Sequence, residues 1–258
     1  MSNDHRYGAV VNTHSSYHDI LSVFLETYNR YMTGTELCVF SIEDLPGLGG
    51  DQIKLLKYTS KNFRDQYLEC LLQVPYDYIL TFNDDYFLMG SPQHSEISSC
   101  IDVLASTEYS HIRFVRGPNL ATPAKLNNLY QIDNKKPYFF SQTLSLWKRA
   151  DLIRVFDVVG PSGIGRKGNE LQFELLANAA CRQLELLGLV YFKNERKVGS
   201  AHYECNIVPH IVSAIVDGYW NTKEYERELT KIEQEFGLKL NPARYRAPLK
   251  AFLTKIFT

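Results

Sequence analysis

The stretch YDYILTFNDDYFL, residues 76–88, decides the fold class of this chain. Its core, residues 78–82, is rich in β-branched and aromatic side chains, which suit a pleated, buried strand. The run ends in the polar cluster Asn83, Asp84 and Asp85, and a second apolar group, Tyr86, Phe87 and Leu88, follows. The pattern predicts a central strand that delivers two adjacent carboxylates to its C-terminal end. Just upstream, Pro75 closes an amphipathic helix expected over 62–74, with Phe63, Tyr67, Leu68, Leu71 and Leu72 on one face.

Working outward from this strand, GAVVN at 8–12 is a short apolar run that opens into the polar loop THSSYHD, the pattern of a buried strand ending at a sheet rim. Ile20, Leu21, Phe24, Leu25, Tyr28 and Tyr31 recur at helical spacing, with Asp19 as candidate N-cap, and LCVFSI at 37–42 predicts the next strand. Residues 45–52, LPGLGGDQ, are turn chemistry. Further on, the spacing predicts helices over 96–105, 149–159 and 169–187 and strands over 111–116, 138–146 and 189–193. Alternating strands and helices argue for an α/β fold of Rossmann-like type, three layers α/β/α around a mostly parallel central sheet. No internal repeat interrupts it. After Gly218 the character changes. Residues 223–236 are strongly charged, and in 241–258 every charged residue is basic while Leu249, Phe252, Leu253, Ile256 and Phe257 share one helical face. The expected division is a domain over 1–220 and, over 221–258, a charged helical arm with a basic amphipathic C-terminal helix. That last helix either docks on the domain or attaches peripherally to anionic lipid.

Composition narrows the function classes. With 28 basic and 29 acidic residues among 258, the net charge of -1 supplies no global field for a polyanion, so nucleic acid is not an expected partner. The five cysteines show no short-range pairing, as expected of reduced thiols in a cytoplasmic protein. No stretch approaches the roughly 20 apolar residues that span a bilayer.

Open α/β sheets bind ligands in the crevice beyond the carboxyl ends of their strands, so Asp84 and Asp85 stand where substrate is expected. Adjacent strand residues point to opposite faces, so the two acids share a ligand only if the chain turns between them. A hard divalent cation, Mg²⁺ or Mn²⁺, takes one or two protein carboxylates and borrows its other ligands from substrate phosphate and water. The alternative is an Asx turn without function. Gly163, Gly165 and Gly168 match GxGxxG by letter, but a helix rather than a strand precedes them, and 160–168 reads either as a plain surface loop or as one that closes over substrate, with Arg166 and Lys167 available to phosphate.

Residues 78–88 resemble the DXD segment of GT-A glycosyltransferases, which closes a central strand in the context DYILxxDDD and is often degenerate. More narrowly, YILTFNDDYFL followed by SQTLSLWKRADL, NELQFE and IVDGYWN, in that order over 7–221, resembles uncharacterised bacterial surface-polysaccharide glycosyltransferases. The resemblance implies a GT-A-like fold and a metal-dependent transferase that moves sugar from a nucleotide-sugar donor to a saccharide or lipid-linked acceptor. Asn83 stands in the first acidic place, which leaves Asp85 as the implied metal ligand for Mn²⁺ or Mg²⁺ and Asp84 as a sugar or ribose contact. Asn12, Thr13 and His14 follow the first strand, where such enzymes hold the nucleotide; a plain polar loop is the alternative. Glu170 and Glu174, one helical turn apart, are candidate bases for the acceptor hydroxyl, or an acidic first turn that complements the helix dipole. His202 resembles a late histidine that adds a metal or diphosphate ligand, although a lone histidine is usually structural. The expected setting is the cytoplasm, with peripheral contact at the inner face of the plasma membrane if the last helix attaches to lipid rather than docking on the domain. Two other classes fit parts of the pattern: a sugar-phosphate nucleotidyltransferase, which lacks support in the absence of a glycine-rich basic loop after the first strand, and a non-catalytic carbohydrate-binding relative.

Overall fold

A computed structural model describes residues 6–45, 51–117, 122–124, 128–160, 169–198 and 202–246, except the side chains of residues 122, 169–171 and 202. Its framework is a nine-stranded sheet, β1 (Tyr7–Asn12), β2 (Leu37–Ser41), β3 (Ile53–Lys57), β4 (Tyr78–Asn83), β5 (Tyr109–Arg113), β6 (Thr122–Pro123), β7 (Leu129–Ile132), β8 (Ser145–Lys148) and β9 (Leu187–Tyr191), in the order β3-β2-β1-β4-β8-β5-β9-β7-β6. β7 and β8 run against the other seven. The mostly parallel α/β architecture expected from the sequence is what the chain adopts.

Six helices cover the two faces: α1 (His18–Tyr31), α2 (Phe63–Leu71), α3 (His94–Ser106), α4 (Arg149–Val159), α5 (Asn169–Gln183) and α6 (Thr222–Phe236). Strand alternation sorts the core. Ala9 and Val11 of β1 and Leu37 and Val39 of β2 join α1, α3 and α6 in one cluster, whereas Val10, Cys38, Phe40 and Ile79 join α2, α4 and α5 in the other. Helix α6 and the chain after it belong to the first cluster through Tyr225, Leu229, Ile232 and Leu240, alongside Trp220. Two short hairpins, β10 (Lys197–Val198) with β11 (His202–Tyr203) and β12 (Ile215–Val216) with β13 (Tyr219–Trp220), complete the described chain.

Several boundaries differ from the sequence expectation for identifiable reasons. The run 138–146 is not a strand up to Ser145: Phe139, Phe140 and Leu144 are buried in loop conformation, and Tyr138 has a left-handed φ of 64°. Buried aromatics there imitate strand periodicity. β3 hides in IKLLK because it is an edge strand with exposed Lys54 and Lys57, the usual guard of a sheet edge. Asp19 is not the cap of α1: Tyr17 occupies that position, and the Asp19 carboxylate is taken by Arg244. The C-terminal helix expected over 241–258 begins instead as a 3₁₀ turn, Pro242–Arg244, and residues 247–258 lie outside the described chain, as do 161–168.

Candidate active site

Strands β2 and β3 extend the sheet to one side of β1, and the chain then returns to lay β4 on the other side. This reversal opens a crevice beyond the carboxyl ends of β1 and β4, the place where open α/β sheets take ligands. Asn12 and Asn83 are register partners at that rim.

Past Asn83 the chain turns at once. Tyr86 N–H donates to Asn83 O at 3.1 Å, so Asp84 and Asp85 are the central residues of a β-turn. The bond that closes it is main chain to main chain, and each carboxylate is tied to a different segment. Thr13, only 2% exposed, donates its hydroxyl to Asp84 Oδ2 at 2.8 Å across the β1/β4 crevice. Ile215 N–H, at the start of the β12–β13 hairpin, donates to Asp85 Oδ2 at 3.3 Å, and Ala214 N–H donates to Asp85 O at 3.2 Å. Beyond the turn, residues 87–93 lie against 207–211 through bonds from Ile211 N to Phe87 O, Met89 N to Pro209 O and Gln93 N to Ile207 O. The late part of the chain thus supports the acid turn from outside the sheet.

The neighbouring polar groups are arranged around this turn. His14 Nδ1 accepts from Ser16 N–H at 3.2 Å and caps the 3₁₀ turn Ser15–Tyr17, so its ring is part of the loop framework. Asn12 Oδ1 is buried with no hydrogen-bond partner among the described residues. From α6, the buried Tyr225 phenol is pushed up to about 12, by burial first, with the carboxylates of Glu224 and Asp85 among the lesser causes. His202 lies in β11, paired with Val198, and its side chain is outside the described set, as is that of Glu170 in the first turn of α5.

A second polar cluster stands on the same sheet edge. Arg113 ends β5 and is in register with Ser145, which pairs in turn with Thr81 of β4. The motif HIRFVR suggests a solvated arginine, yet Arg113 is 2% exposed, because β5 is an interior strand. Burial lowers its pKa to about 10, and the nearby Glu174 charge works in the opposite direction. Glu174 Oε1 accepts from Gln142 N–H at 2.7 Å, and Asn178 braces the same loop, bonding both the N–H and the carbonyl of Phe140. Arg116 lies over the rings of Phe192 and Tyr203, at 4.3 and 4.5 Å, and the two rings meet each other edge to face.

Thr13 and Asp84 are therefore in direct contact, Asp85 is adjacent, and Glu174 belongs to a separate cluster on the same edge. The sequence missed Arg244, Asp19, Asn178 and the hairpin amide of Ile215, whose roles exist only through pairing with distant segments.

No family model and no curated protein matches the sequence. Solved structures similar to the chain include CMP:2-keto-3-deoxy-manno-octonic acid synthetase complexed with CTP, at TM-score 0.46 and 12% identity, covering 72% of this chain and 89% of that one. Another is S. aureus TarS 1-349, at TM-score 0.46 and 13% identity, covering 77% of this chain and 60% of that one. A third is mannosyltransferase PcManGT from Pyrobaculum calidifontis in complex with GDP-Man and Mn2+, at TM-score 0.46 and 13% identity, covering 75% and 58%.

Proposed function

We propose that the protein transfers a sugar from a nucleotide-sugar donor to a saccharide or lipid-linked acceptor, in cell-surface polysaccharide biosynthesis. The observation that supports this is the turn at the switch point, where Asp84, bonded by Thr13, and the adjacent Asp85 stand at the carboxyl end of β4, the edge at which open α/β sheets take nucleotide ligands. In this reading Asp85, with His202, holds Mn²⁺ or Mg²⁺; Asp84 orients the donor sugar or ribose; Asn12, Thr13, His14 and Asn83 contact the donor. The oxygen set fits such a cation. Asp85 is a hard oxygen donor, and since among the described residues no three His, Cys, Asp or Glu side chains gather into a cage, diphosphate and water would have to complete the shell. When bound, the cation neutralises charge on the departing diphosphate. Glu170 or Glu174 accepts the proton of the acceptor hydroxyl as it attacks; Gln142 N–H orients Glu174 for that task.

No helix among the described residues is long and apolar enough to cross a membrane. The proposed location is the cytoplasm, at the inner face of the plasma membrane, reached through the basic, apolar 247–258 segment.

A thermal-shift panel of UDP, GDP, CMP and dTDP, each with and without Mn²⁺, tests the donor class. A nucleotide near a hundredfold its Kd should raise the midpoint by ~5 °C in the presence of metal. Asp85→Ala should abolish the metal-dependent part and leave the ligand-free midpoint within a degree or two. A flat panel sinks the transferase reading, and an undiminished shift in Asp85→Ala sinks the metal assignment.

A further inference from the structure

We propose that Arg244 is a positioning residue for the aspartate pair, a single guanidinium that fastens both the loop holding Asp84 and the hairpin holding Asp85. Toward the first loop, Arg244 Nε and Nη2 donate to Asp19 Oδ2 and Oδ1 at 2.6 and 2.8 Å, and Nη2 also donates to Ser16 O at 2.7 Å. The guanidinium carbon lies 5.0 Å from the centre of the Tyr17 ring. Ser16 and Tyr17 belong to the loop that Thr13 begins, and Thr13 is the donor to Asp84. Toward the hairpin, Arg244 Nη1 donates to Gly218 O at 3.1 Å. Gly218 forms the tip of the β12–β13 hairpin, whose Ile215 N–H bonds Asp85.

The clamp is itself held in place. Asn241 Nδ2 donates to Asp19 Oδ2 at 2.7 Å, Asn241 Oδ1 accepts from Ala243 N–H at 3.0 Å, and Asn241 O accepts from Trp220 Nε1 at 2.9 Å. Bonding to Asp19 raises the Arg244 pKa, and the Asp84 charge is among the smaller contributions, so the cation stands within the field of the acid turn. A planar fork is needed, because two carboxylate oxygens and two carbonyls from separate segments are served at once; a lysine supplies the charge without that geometry.

The functional half of this inference rests on the transferase reading; the structural half does not, and the test separates them. Hydrogen exchange in the ligand-free protein should show faster exchange across residues 14–17 and 214–218 in Arg244→Ala and Arg244→Lys, with β1 and β4 unchanged. Titration of UDP, GDP, CMP and dTDP with Mn²⁺ should then show, for whichever the wild-type protein binds, about a tenfold affinity loss in Arg244→Lys and Asp19→Asn, the scale expected when an outer support of a metal site is removed. Arg227→Ala, an exposed arginine on α6, is the control and should change neither measurement. Faster exchange in only one of the two loops, or in neither, overturns the clamp, as does wild-type affinity in Arg244→Lys. If the wild-type protein binds none of the four, the transferase reading falls and exchange alone decides: loosening of both loops supports the clamp, and anything less overturns it.

Discussion

The place of Asp84 and Asp85 at the end of a strand was legible because a β-branched run gives way there to a polar cluster, but their geometry was not. Whether two adjacent acids serve one ligand depends on the turn between them, and that turn is closed by Tyr86 and braced by Ile215, 130 positions away. Arg244 and Asp19 are separated by 225 positions, and nothing local marks either as a partner. His111 illustrates the same limit with a measurable consequence. It is fully buried, stacked on Trp147 at 4.1 Å between ring centres, and burial, with the Arg113 charge second, lowers its pKa to about 3. The unfolded chain protonates this histidine below about pH 6.5 while the folded chain does not. Folded-state stability contributed here is therefore complete above pH 6.5 and declines as pH falls toward 3, by up to roughly 1.4 kcal/mol per unit. Urea midpoints measured from pH 7 to pH 4 should fall steadily; a level profile across that window would contradict the buried, neutral state.

Elements with a clean period were legible, and those shaped by neighbours were not. Helix α4 announces itself through Leu152, Val155, Phe156 and Val159, all buried against α2 and α5. Phe156 stacks on Tyr67 at 4.7 Å and 18° and meets Phe173 at 4.6 Å, so it joins three helices at one point. Phe156→Ala should cost about 3–5 kcal/mol, read as a shift in denaturant midpoint at unchanged slope, because the cavity opens where no single helix can collapse to fill it. By contrast β8 is only four residues long and is flanked by buried aromatics, so its register against β4 and β5 could be seen only in three dimensions. Glycine carries a further hidden constraint: a Cβ at Gly188 would lie 2.3 Å from the His111 ring, so β9 passes that histidine only without a side chain.

At the scale of the molecule, the three-layer arrangement followed from alternation of strands and helices, whereas the closure of the chain's late segment onto its early loop did not. The layers enclose all five cysteines, and burial pushes each thiol up to about 12. A thiol-reactive dye at pH 8 should therefore label none of them in the native protein and all five in urea; labelling of the native protein would reveal a layer that opens locally. Truncation after residue 246 should abolish co-sedimentation with anionic vesicles, because the proposed lipid contact is carried by the basic, apolar 247–258 stretch. Retained sedimentation would transfer the membrane contact to another surface.

The chain has two tryptophans, and they lie on opposite faces of the sheet: Trp147 in the layer of α2, α4 and α5, and Trp220 in the layer of α1, α3 and α6. Because the Trp220 indole bonds Asn241, three residues from Arg244, its emission is a native optical reporter for the end of the chain that grips the acid turn. Replacing Trp147 with phenylalanine would leave a single-colour protein whose fluorescence follows that grip alone.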